Sequence, residues 1–364
     1  MTTSSSTLPA PAGDAIRDVT IIGGGPTGLA AAYYAGHRDA SVRIIDSLPE
    51  LGGQVQAVYP EKHIYDIAGH PKVQAAEFCR LLTEQASQFD PQVLLETTCE
   101  GLDMWTAEDG GDLRRVTVEE ARELPSEELL LRLTSGSGQE LWTRTLIIAG
   151  GHGAFEPRKL PIDDIDAWAG HGLHYHVRRV DDFAGRQVVI VGGGDSALDW
   201  TLGLSDRVAG PLRLVHRRDR FRAVESSVTQ MRELAAAGTV DLRVPAEVTA
   251  IHGNGHVEAV TITDRDSGAE EQVECDALVT LLGFKSALGP IAGWGLEMAG
   301  RRAVAVNPAM ETNLPNVFAA GDIAGYEGKI TLITIDMGEA AIAANQAITR
   351  FRPEARLQPT YSTD

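Results

Sequence analysis

The sequence predicts an α/β protein with two domains, each built around a doubly wound parallel sheet. The chain has 364 residues, more than one hydrophobic core usually supports. Two short apolar segments, 19–22 and 187–191, have the character of buried parallel strands, and each runs into a glycine-rich turn followed by a helix-forming stretch. The fold class is predicted from this repeated strand–turn–helix unit.

The first glycine-rich turn places Gly23, Gly25 and Gly28 in G-x-G-x-x-G spacing at the start of an alanine-rich stretch. The first glycine permits the tight turn, the second lets backbone approach a pyrophosphate, and the third lets helix and strand pack closely. The helix N-terminus then faces the anion. A second apolar strand ends at Asp46, eighteen residues after Gly28, where a carboxylate can bind ribose hydroxyls. Together these features predict a Rossmann-like dinucleotide-binding unit.

The second turn places Gly192, Gly194 and Ala197 in the same spacing, but its following strand ends in HRRDRFR and not in an acid. Three arginines stand where the first unit has its carboxylate: Arg217, Arg218 and Arg222. Guanidinium groups there favour a 2′-phosphate and therefore NADP over NAD, and a solvated basic turn is the alternative. Two turns of opposite charge predict two different dinucleotides.

A third segment is an apolar strand, residues 317–320, that runs into Gly321 and Asp322. In flavoproteins that bind two dinucleotides, such a strand returns to the first domain and its aspartate holds the ribityl chain of FAD. Another apolar strand runs into Gly150 and Gly151. The order of all four elements predicts that the first unit binds FAD and the second binds NADP(H).

This order makes the FAD domain discontinuous, because the third segment follows the NADP elements. We expect a disordered leader at 1–13, an FAD-binding domain of 14–154 and 286–364, and an NADP-binding domain of 155–285. Each domain is predicted to carry a small β-meander, at 93–142 and 244–273. The acidic runs in the first meander are interpreted as solvated loops.

Composition disfavours several classes of function. A formal net charge of −19 argues against a nucleic-acid partner, and no apolar run approaches the roughly 18 residues of a membrane span. The N-terminal stretch lacks the basic and apolar regions of a signal peptide. Three scattered cysteines do not suit a secreted disulfide framework, which favours a cytoplasmic location. His174 and His176 have no carboxylate or cysteine cluster beside them in sequence, so no metal site is expected.

The order of elements resembles the thioredoxin-reductase-like flavoproteins along nearly the whole chain. Thioredoxin reductases carry a C-x-x-C disulfide just before the second glycine motif, whereas this sequence has GLHYHVRRVDDF there and no sulfur. The stretches LPELGGQ, VYPEKHIYDIAGHPK, GAFEPRKL, HRRDRFRA and METNLPNVFAAGDI are together similar to ferredoxin–NADP reductases of the thioredoxin-reductase type. The resemblance implies a homodimeric FAD enzyme that exchanges electrons between NADPH and ferredoxin or flavodoxin.

The resemblance also assigns residues to the site. By position, FAD contacts fall on Thr27, Asp46, Gln54, Tyr59, Cys99, Phe155, Asp322 and Thr363. Tyr59 matches the ring that stacks on one flavin face. Tyr361 matches the ring of a C-terminal extension that comes from the partner subunit and covers the other face, with Thr363 near N5. No acid or base is required, because hydride transfer needs positioning and the flavin supplies the chemistry.

The sequence departs from this family at two places. Ile335, Asp336 and Met337 stand where the family tends to have a small residue, glycine and phenylalanine. A carboxylate there either disfavours negative charge on the reduced flavin or is an ordinary acidic residue at a helix N-terminus. His152 replaces a usual asparagine, and it is assigned no role.

Two other functions share every motif. One is an NADPH diaphorase that reduces a quinone, free flavin or another small oxidant, and the other is a redox sensor that binds FAD and NADPH without turnover. A chain of this charge also needs a local basic patch to meet an acidic ferredoxin. The candidates for such a patch are Lys62, Arg158, Lys159, Arg178 and Arg179.

Overall fold

The structure is a computed structural model that describes residues 7–108, 111–177 and 179–358. It divides into two compact units. The first unit contains the described residues up to 57, residues 62–154 and the described residues from 286 onward. The second unit contains residues 58–61 and 155–285.

The described residues of the first chain segment form ten strands and four α-helices. The strands are β1 (Thr7–Pro9), β2 (Ile16–Ile22), β3 (Val42–Ile45), β4 (His63–Ile64), β5 (Val73–Gln74), β6 (Gln92–Leu94), β7 (Cys99–Ala107), β8 (Asp112–Val116), β9 (Leu129–Ser135) and β10 (Glu140–Ile148). The helices are α1 (Pro26–Gly36), α2 (Gly53–Val58), α3 (Ala75–Ser87) and α4 (Val118–Glu123).

The middle segment begins and ends in two strands that pair with each other, β11 (Ala154–Pro157) and β20 (Phe284–Ala287). Between them lie β12 (Leu173–His174), β13 (Val188–Gly192), β14 (Leu212–Val215), β15 (Val240–Arg243), β16 (Ala246–His252), β17 (Ala259–Asp264), β18 (Glu270–Glu274) and β19 (Ala277–Leu281). Its helices are α5 (Asp195–Leu204) and α6 (Glu225–Ala236).

The last segment completes the first unit. It contributes β21 (Met298–Ala299), β22 (Ala303–Ala305), β23 (Val317–Ala319), β24 (Ala324–Gly325) and α7 (Ile333–Phe351).

The main sheet of the first unit has nine strands in the order β1-β8-β7-β9-β10-β2-β3-β6, with β23 beside β10. The strands β23, β10, β2, β3 and β6 are parallel, and Ile22, Ile148 and Ala319 lie in register. The carboxyl ends of β2, β10 and β23 therefore meet at one edge, which is where ligands bind in sheets of this kind. Alanine-rich α1 and α7 pack on one face, and their small side chains belong to the same buried core.

The second unit has a parallel sheet in the order β12-β19-β13-β14-β15 and an antiparallel sheet in the order β16-β17-β18. The parallel strands β13 and β19 are buried on both faces, as their continuous apolar sequences predict. The antiparallel sheet is the predicted second meander. Within the described part of the chain, no helix combines the length and apolarity that a membrane crossing requires.

Two predictions about the first segment are wrong in part. Residues Thr7–Pro9 of the supposed disordered leader form β1, which pairs with β8; residues 1–6 lie outside the described residues. The acidic run VEEARE forms α4 where a loop was expected, because Thr117 caps the helix. Its hydroxyl accepts a hydrogen bond from Glu120 N, and the Glu120 carboxylate accepts one from Thr117 N at 2.8 Å.

Candidate functional site

The turn after β2 is built so that only glycine fits at its first and last positions. Gly23 has φ +107°, and a Cβ there would collide with the carbonyl of Ala149 at the end of β10. A Cβ on Gly28 would collide with the Gly23 carbonyl, so α1 approaches the turn as closely as the motif predicts. Gly25 is the N-cap of α1 and Pro26 follows it, which leaves the backbone amides of the first turn open to an anion.

Asp46 follows β3 and holds this turn in place. Its carboxylate accepts hydrogen bonds from Gly24 N at 2.6 Å and Leu48 N at 2.8 Å. Burial raises the pKa of Asp46, and these backbone hydrogen bonds oppose the rise. A carboxylate can accept about four hydrogen bonds, so the two amides leave capacity for the ribose hydroxyls that the sequence assigns to it.

A second pair of glycines lies against the first turn. Gly52 N donates to Gly24 O at 2.8 Å, and a Cβ on Gly53 would come within 2.8 Å of Gly25 Cα. Gln54 is the next residue and is half-buried in α2. Gln54, which the sequence predicts to contact FAD, therefore lies next to the glycine turn in space, although it is far from that turn in sequence.

The turn after β23 completes this edge. Gly321 has φ +84°, and a Cβ there would lie 2.7 Å from Thr27 Oγ1. Asp322 follows it, and Asp322 Oδ2 lies 3.2 Å from His152 Nδ1, in the turn after β10. This hydrogen bond lowers the pKa of Asp322 and raises that of His152. The structure thus brings Thr27 and Asp322 together and gives His152 a partner that sequence reasoning did not foresee.

Behind Asp322 lies a buried ionic cluster that sequence reasoning missed. Lys329 Nζ lies 2.7 Å from Asp336 Oδ1 and 2.5 Å from Glu339 Oε1. Glu339 also accepts hydrogen bonds from Gly321 N at 2.8 Å and from Tyr326 Oη. Burial raises the pKa of Asp336 to about 6, against the opposing hydrogen bond from Lys329. The available signal was the unusual Asp336 itself; Lys329 precedes it by seven residues and Asp322 by fourteen, and no local pattern pairs residues at these spacings.

The three cysteines are buried in the described part of the chain: Cys79, Cys99 and Cys275. Burial raises the pKa of each thiol to about 12, so at neutral pH they are not thiolates. Cys99 begins β7, where a contact to adenine remains a prediction. No redox chemistry is expected of these groups.

The second glycine turn, after β13, has the same logic with different residues. A Cβ on Gly192 would lie 2.6 Å from Leu281 O and 2.7 Å from Ala197 Cβ, and one on Gly193 would collide with the His216 ring. A Cβ on Gly194, the N-cap of α5, would meet no described atom within 4 Å. Packing therefore does not require glycine at position 194. A ligand that approaches the backbone closely would require it, because a side chain there would block the approach.

The predicted arginines follow β14 at the same end of the sheet. Arg217, Arg218 and Arg222 are exposed, and Arg222 N donates to Gly193 O at 2.8 Å, which ties this turn to the glycine turn. Asp219 pairs with Arg232 at 2.7 Å, and among the described residues no ion pair engages the three arginines. The turn therefore presents positive charge beside the N-terminus of α5.

Other predicted positions are not tested by this geometry. The structure groups Tyr59 with the second unit, where its Oη lies 3.1 Å from Ser196 Oγ on α5. Tyr361, Thr363 and Arg178 lie outside the described residues, as does the side chain of Phe155. Stacking by Tyr59 and Tyr361 therefore remains a prediction.

The two turns fit the groups that the sequence assigns to them. In the first unit, the collisions at Gly23 and Gly28 and the Asp46 carboxylate beside the turn suit FAD. In the second unit, the backbone at Gly194 is unobstructed, and the three arginines form no ion pair with a described carboxylate. Both features suit NADP(H). Among the described residues, no group of three or more histidine, cysteine or acidic side chains could hold a metal ion.

Comparisons with known proteins agree with this assignment. Residues 17–347 match the family model described as pyridine nucleotide-disulphide oxidoreductase. The chain is 43% identical over 348 residues to ferredoxin–NADP reductase 2 of Oceanobacillus iheyensis, covering 96% of this chain and 98% of that protein. It is 42% identical over 348 residues to ferredoxin–NADP reductase 2 of Bacillus subtilis, covering 96% of each.

Solved structures confirm the predicted fold. The thioredoxin reductase of T. acidophilum superposes with a TM-score of 0.69 at 20% identity, covering 93% of this chain and 98% of that one. The thioredoxin reductase of Lactococcus lactis also gives 0.69, at 21% identity, covering 93% and 99%. The fold is therefore of the thioredoxin-reductase-like type, with binding sites for FAD and NADP(H). The chain belongs to the pyridine nucleotide-disulphide oxidoreductase family, and within it to the ferredoxin–NADP reductases.

Proposed function

We propose that this protein is a ferredoxin–NADP reductase that exchanges electrons between NADPH and ferredoxin or flavodoxin. The observation that carries the proposal is the pair of glycine turns with opposite charge: Asp46 at the first, and the three arginines after β14 at the second. Two unlike dinucleotide sites in one chain are what such an electron exchange requires. Relatives named for this activity, similar over nearly the full length, support it.

In the first unit the chain's residues bind and orient FAD. The amides at the start of α1 and the close approach permitted by Gly25 suit the pyrophosphate, and Asp46 suits the ribose of the adenosine half. Asp322, fixed by His152, suits the ribityl chain. When bound, FAD supplies the conversion between the two-electron chemistry of NADPH and single-electron transfer to an iron–sulfur or flavin protein.

In the second unit the chain's residues select the nicotinamide cofactor. Gly194 leaves the backbone at the start of α5 open to the pyrophosphate. Arg217, Arg218 and Arg222 can donate charge-assisted hydrogen bonds to the 2′-phosphate. An unphosphorylated ribose would leave these guanidinium groups without a partner, so the site favours NADPH over NADH.

A disulfide substrate route is disfavoured by the chain itself. The sequence has no C-x-x-C, and all three thiols are buried with raised pKa values. The electron acceptor must therefore be an external one-electron carrier or a small oxidant. We further propose that the protein is a homodimer in which the tail of one subunit, through Tyr361, covers the flavin of the other.

The proposal is tested by steady-state NADPH oxidation with ferredoxin, flavodoxin and a quinone side by side, using cytochrome c to report ferredoxin reduction. We expect ferredoxin or flavodoxin to give the highest kcat/KM. Preference for the quinone would instead assign a diaphorase. A flavin that NADPH reduces without turnover on any acceptor would assign a redox sensor.

A further inference from the structure

The cluster behind Asp322 carries more negative than positive charge. Lys329 is paired with two carboxylates at once, Asp336 at 2.7 Å and Glu339 at 2.5 Å. The side chains of these three residues are 10%, 8% and 4% exposed. Because one ammonium faces two carboxylates away from water, the cluster holds an uncompensated negative charge, and this is costly in a low-dielectric site.

Asp322 adds a third carboxylate to this cluster. Asp322 and Asp336 repel when both are ionised, which favours a proton on one of them. His152 Nδ1 lies 3.2 Å from Asp322 Oδ2, and this hydrogen bond lowers the pKa of Asp322, so the proton is favoured on Asp336.

The charged and titratable groups that face Asp336 come from several elements. Glu339 lies on its own helix, α7, and Lys329 and Tyr326 precede that helix. Asp322 follows β23, and the charge of His152, which follows β10, reaches Asp336 as well. Arg302, which precedes β22, opposes the positive charge of His152. Burial raises the pKa of Asp336 to about 6, whereas the hydrogen bond from His152 lowers the pKa of Asp322.

This proposal rests on the proposed function, in which Asp322 contacts FAD. We propose that Asp336 is a proton-accepting positioning residue of the FAD site, which is paired with Lys329 when ionised and no longer repels Asp322 when protonated. With FAD bound beside Asp322, negative charge on the flavin would favour the protonated form of Asp336. The step is a proton transfer only: solvent supplies the proton, one O–H bond forms on the Asp336 carboxyl, and the proton returns to solvent when that charge leaves.

The rest of the cluster does not depend on Asp336. The surrounding Lys329–Glu339 pair and the Glu339–Gly321 hydrogen bond do not need Asp336 to form. Removing the Asp336 carboxyl should therefore change the number of protons that the site binds and leave the Lys329–Glu339 and Glu339–Gly321 contacts intact.

The test is the midpoint potential of the bound flavin, measured with redox mediators from pH 5 to pH 8 in the holoenzyme. Neither NADPH nor ferredoxin is needed, so the result is independent of turnover on any partner. We expect the slope of potential against pH in the wild type to show an additional proton taken up on reduction near the Asp336 titration. Asp336→Asn and Asp336→Gly should both lose that contribution, whereas Asp336→Glu should restore it in part.

The matched control is Asp103→Asn. Asp103 is also an ion-paired carboxylate of the first unit, 2.6 Å from Arg132, but it lies on β7 within the meander. It should keep the wild-type slope. A second readout is the infrared band of a protonated carboxyl, which should appear between pH 8 and pH 5 in the wild type and be missing from Asp336→Asn.

Two outcomes would overturn the proposal. An Asp336→Asn profile identical to the wild type would mean that Asp336 is not coupled to the flavin, even if the infrared band assigns it a proton. A protein that purifies without FAD and cannot be loaded would overturn this inference and the proposed function together. Absence of ferredoxin turnover with a normal wild-type potential profile would overturn the proposed function alone.

Discussion

The two glycine turns use the same spacing, but they enforce it in different ways. In the first, the third motif position is Gly28, where a Cβ would collide with the Gly23 carbonyl. In the second the same position is Ala197, whose methyl group is buried against Gly192. The helix of the second turn must therefore sit slightly farther from its strand. The motif specifies a topology, and the contact distances depend on the residues at each position.

The turns also differ in charge where the next strand ends. Asp46 is buried and holds its own turn by accepting a hydrogen bond from Gly24 N, so it has a structural role beside the binding role proposed for it. The side chains of Arg217 and Arg218 are exposed and form no ion pair with a described residue; the backbone carbonyl of Arg217 accepts a hydrogen bond from Arg265. Loss of Asp46 should therefore affect folding as well as binding, whereas loss of the arginines should affect cofactor selection alone.

The largest expected effect is at Gly28. Gly28→Ala should displace α1 from the turn and cost about 1–3 kcal/mol of stability, the range for overpacking a close contact. We expect purified protein with little FAD, measured by the absorbance ratio of flavin to protein and by thermal unfolding. Ala197→Gly is the matched change in the second turn and should cost only about 1 kcal/mol, the helix propensity difference. Equal FAD loading in Gly28→Ala and wild type would contradict the close approach of α1 to its turn.

Cofactor selection should respond next. The double change Arg217→Ala and Arg218→Ala removes charge-assisted hydrogen bonds worth about 1.5–3 kcal/mol each to a charged group. We expect KM for NADPH to rise by at least roughly 100-fold while KM for NADH changes little, measured by steady-state oxidation of each cofactor. Arg232→Ala removes a charge that is already paired with Asp219, and it should leave the preference for NADPH. Equal losses for both cofactors would mean that the arginines support the fold.

Deletion of the C-terminal tail tests whether residues 359–364 cover the flavin, which the first unit is proposed to bind. Arg38 donates hydrogen bonds to Arg356 O at 2.6 Å and Leu357 O at 3.1 Å, so the chain is held up to that point. Deleting residues 359–364 should therefore spare the fold. We expect a shift of the flavin absorption bands and slower ferredoxin turnover with unchanged NADPH binding, and Tyr361→Ala should reproduce part of the effect. If spectrum and kinetics both survive the deletion, the tail does not cover the flavin.

Local patterns predicted much of this molecule, and pairing over long distances explains what they missed. The glycine spacing, Asp46 and the Gly321–Asp322 turn could all be read within a few residues of a strand. The Asp322–His152 pair arises because β23 lies beside β10, and the Gly321–Glu339 hydrogen bond arises because α7 lies against the turn after β23. No local pattern reveals either arrangement. Strand β1 was missed for the same reason, since three residues become a strand only on β8. Helix α4 was readable, because Thr117 and Glu120 have the spacing of a capping box.

The smallest expected effect is the pH dependence of the His152–Asp322 pair. His152 has a raised pKa in the folded protein, so the stability that it contributes is full below its unfolded value near 6.5 and is lost as the pH rises through its folded value. Asp322 has a lowered pKa, so its contribution persists across this range and is lost only at acid pH.

His152→Asn keeps a donor for Asp322 but cannot become charged. Because the pair is partly exposed, the difference from wild type should stay below about 1 kcal/mol. Thermal unfolding should show the variant less stable than wild type at pH 6 and equal to it at pH 8.5. Because the charge of His152 reaches Asp336, the comparison is repeated in the Asp336→Asn background, where that group cannot titrate. A constant difference at both values would show that His152 contributes its shape and hydrogen bond, and that its charge does not reach Asp322.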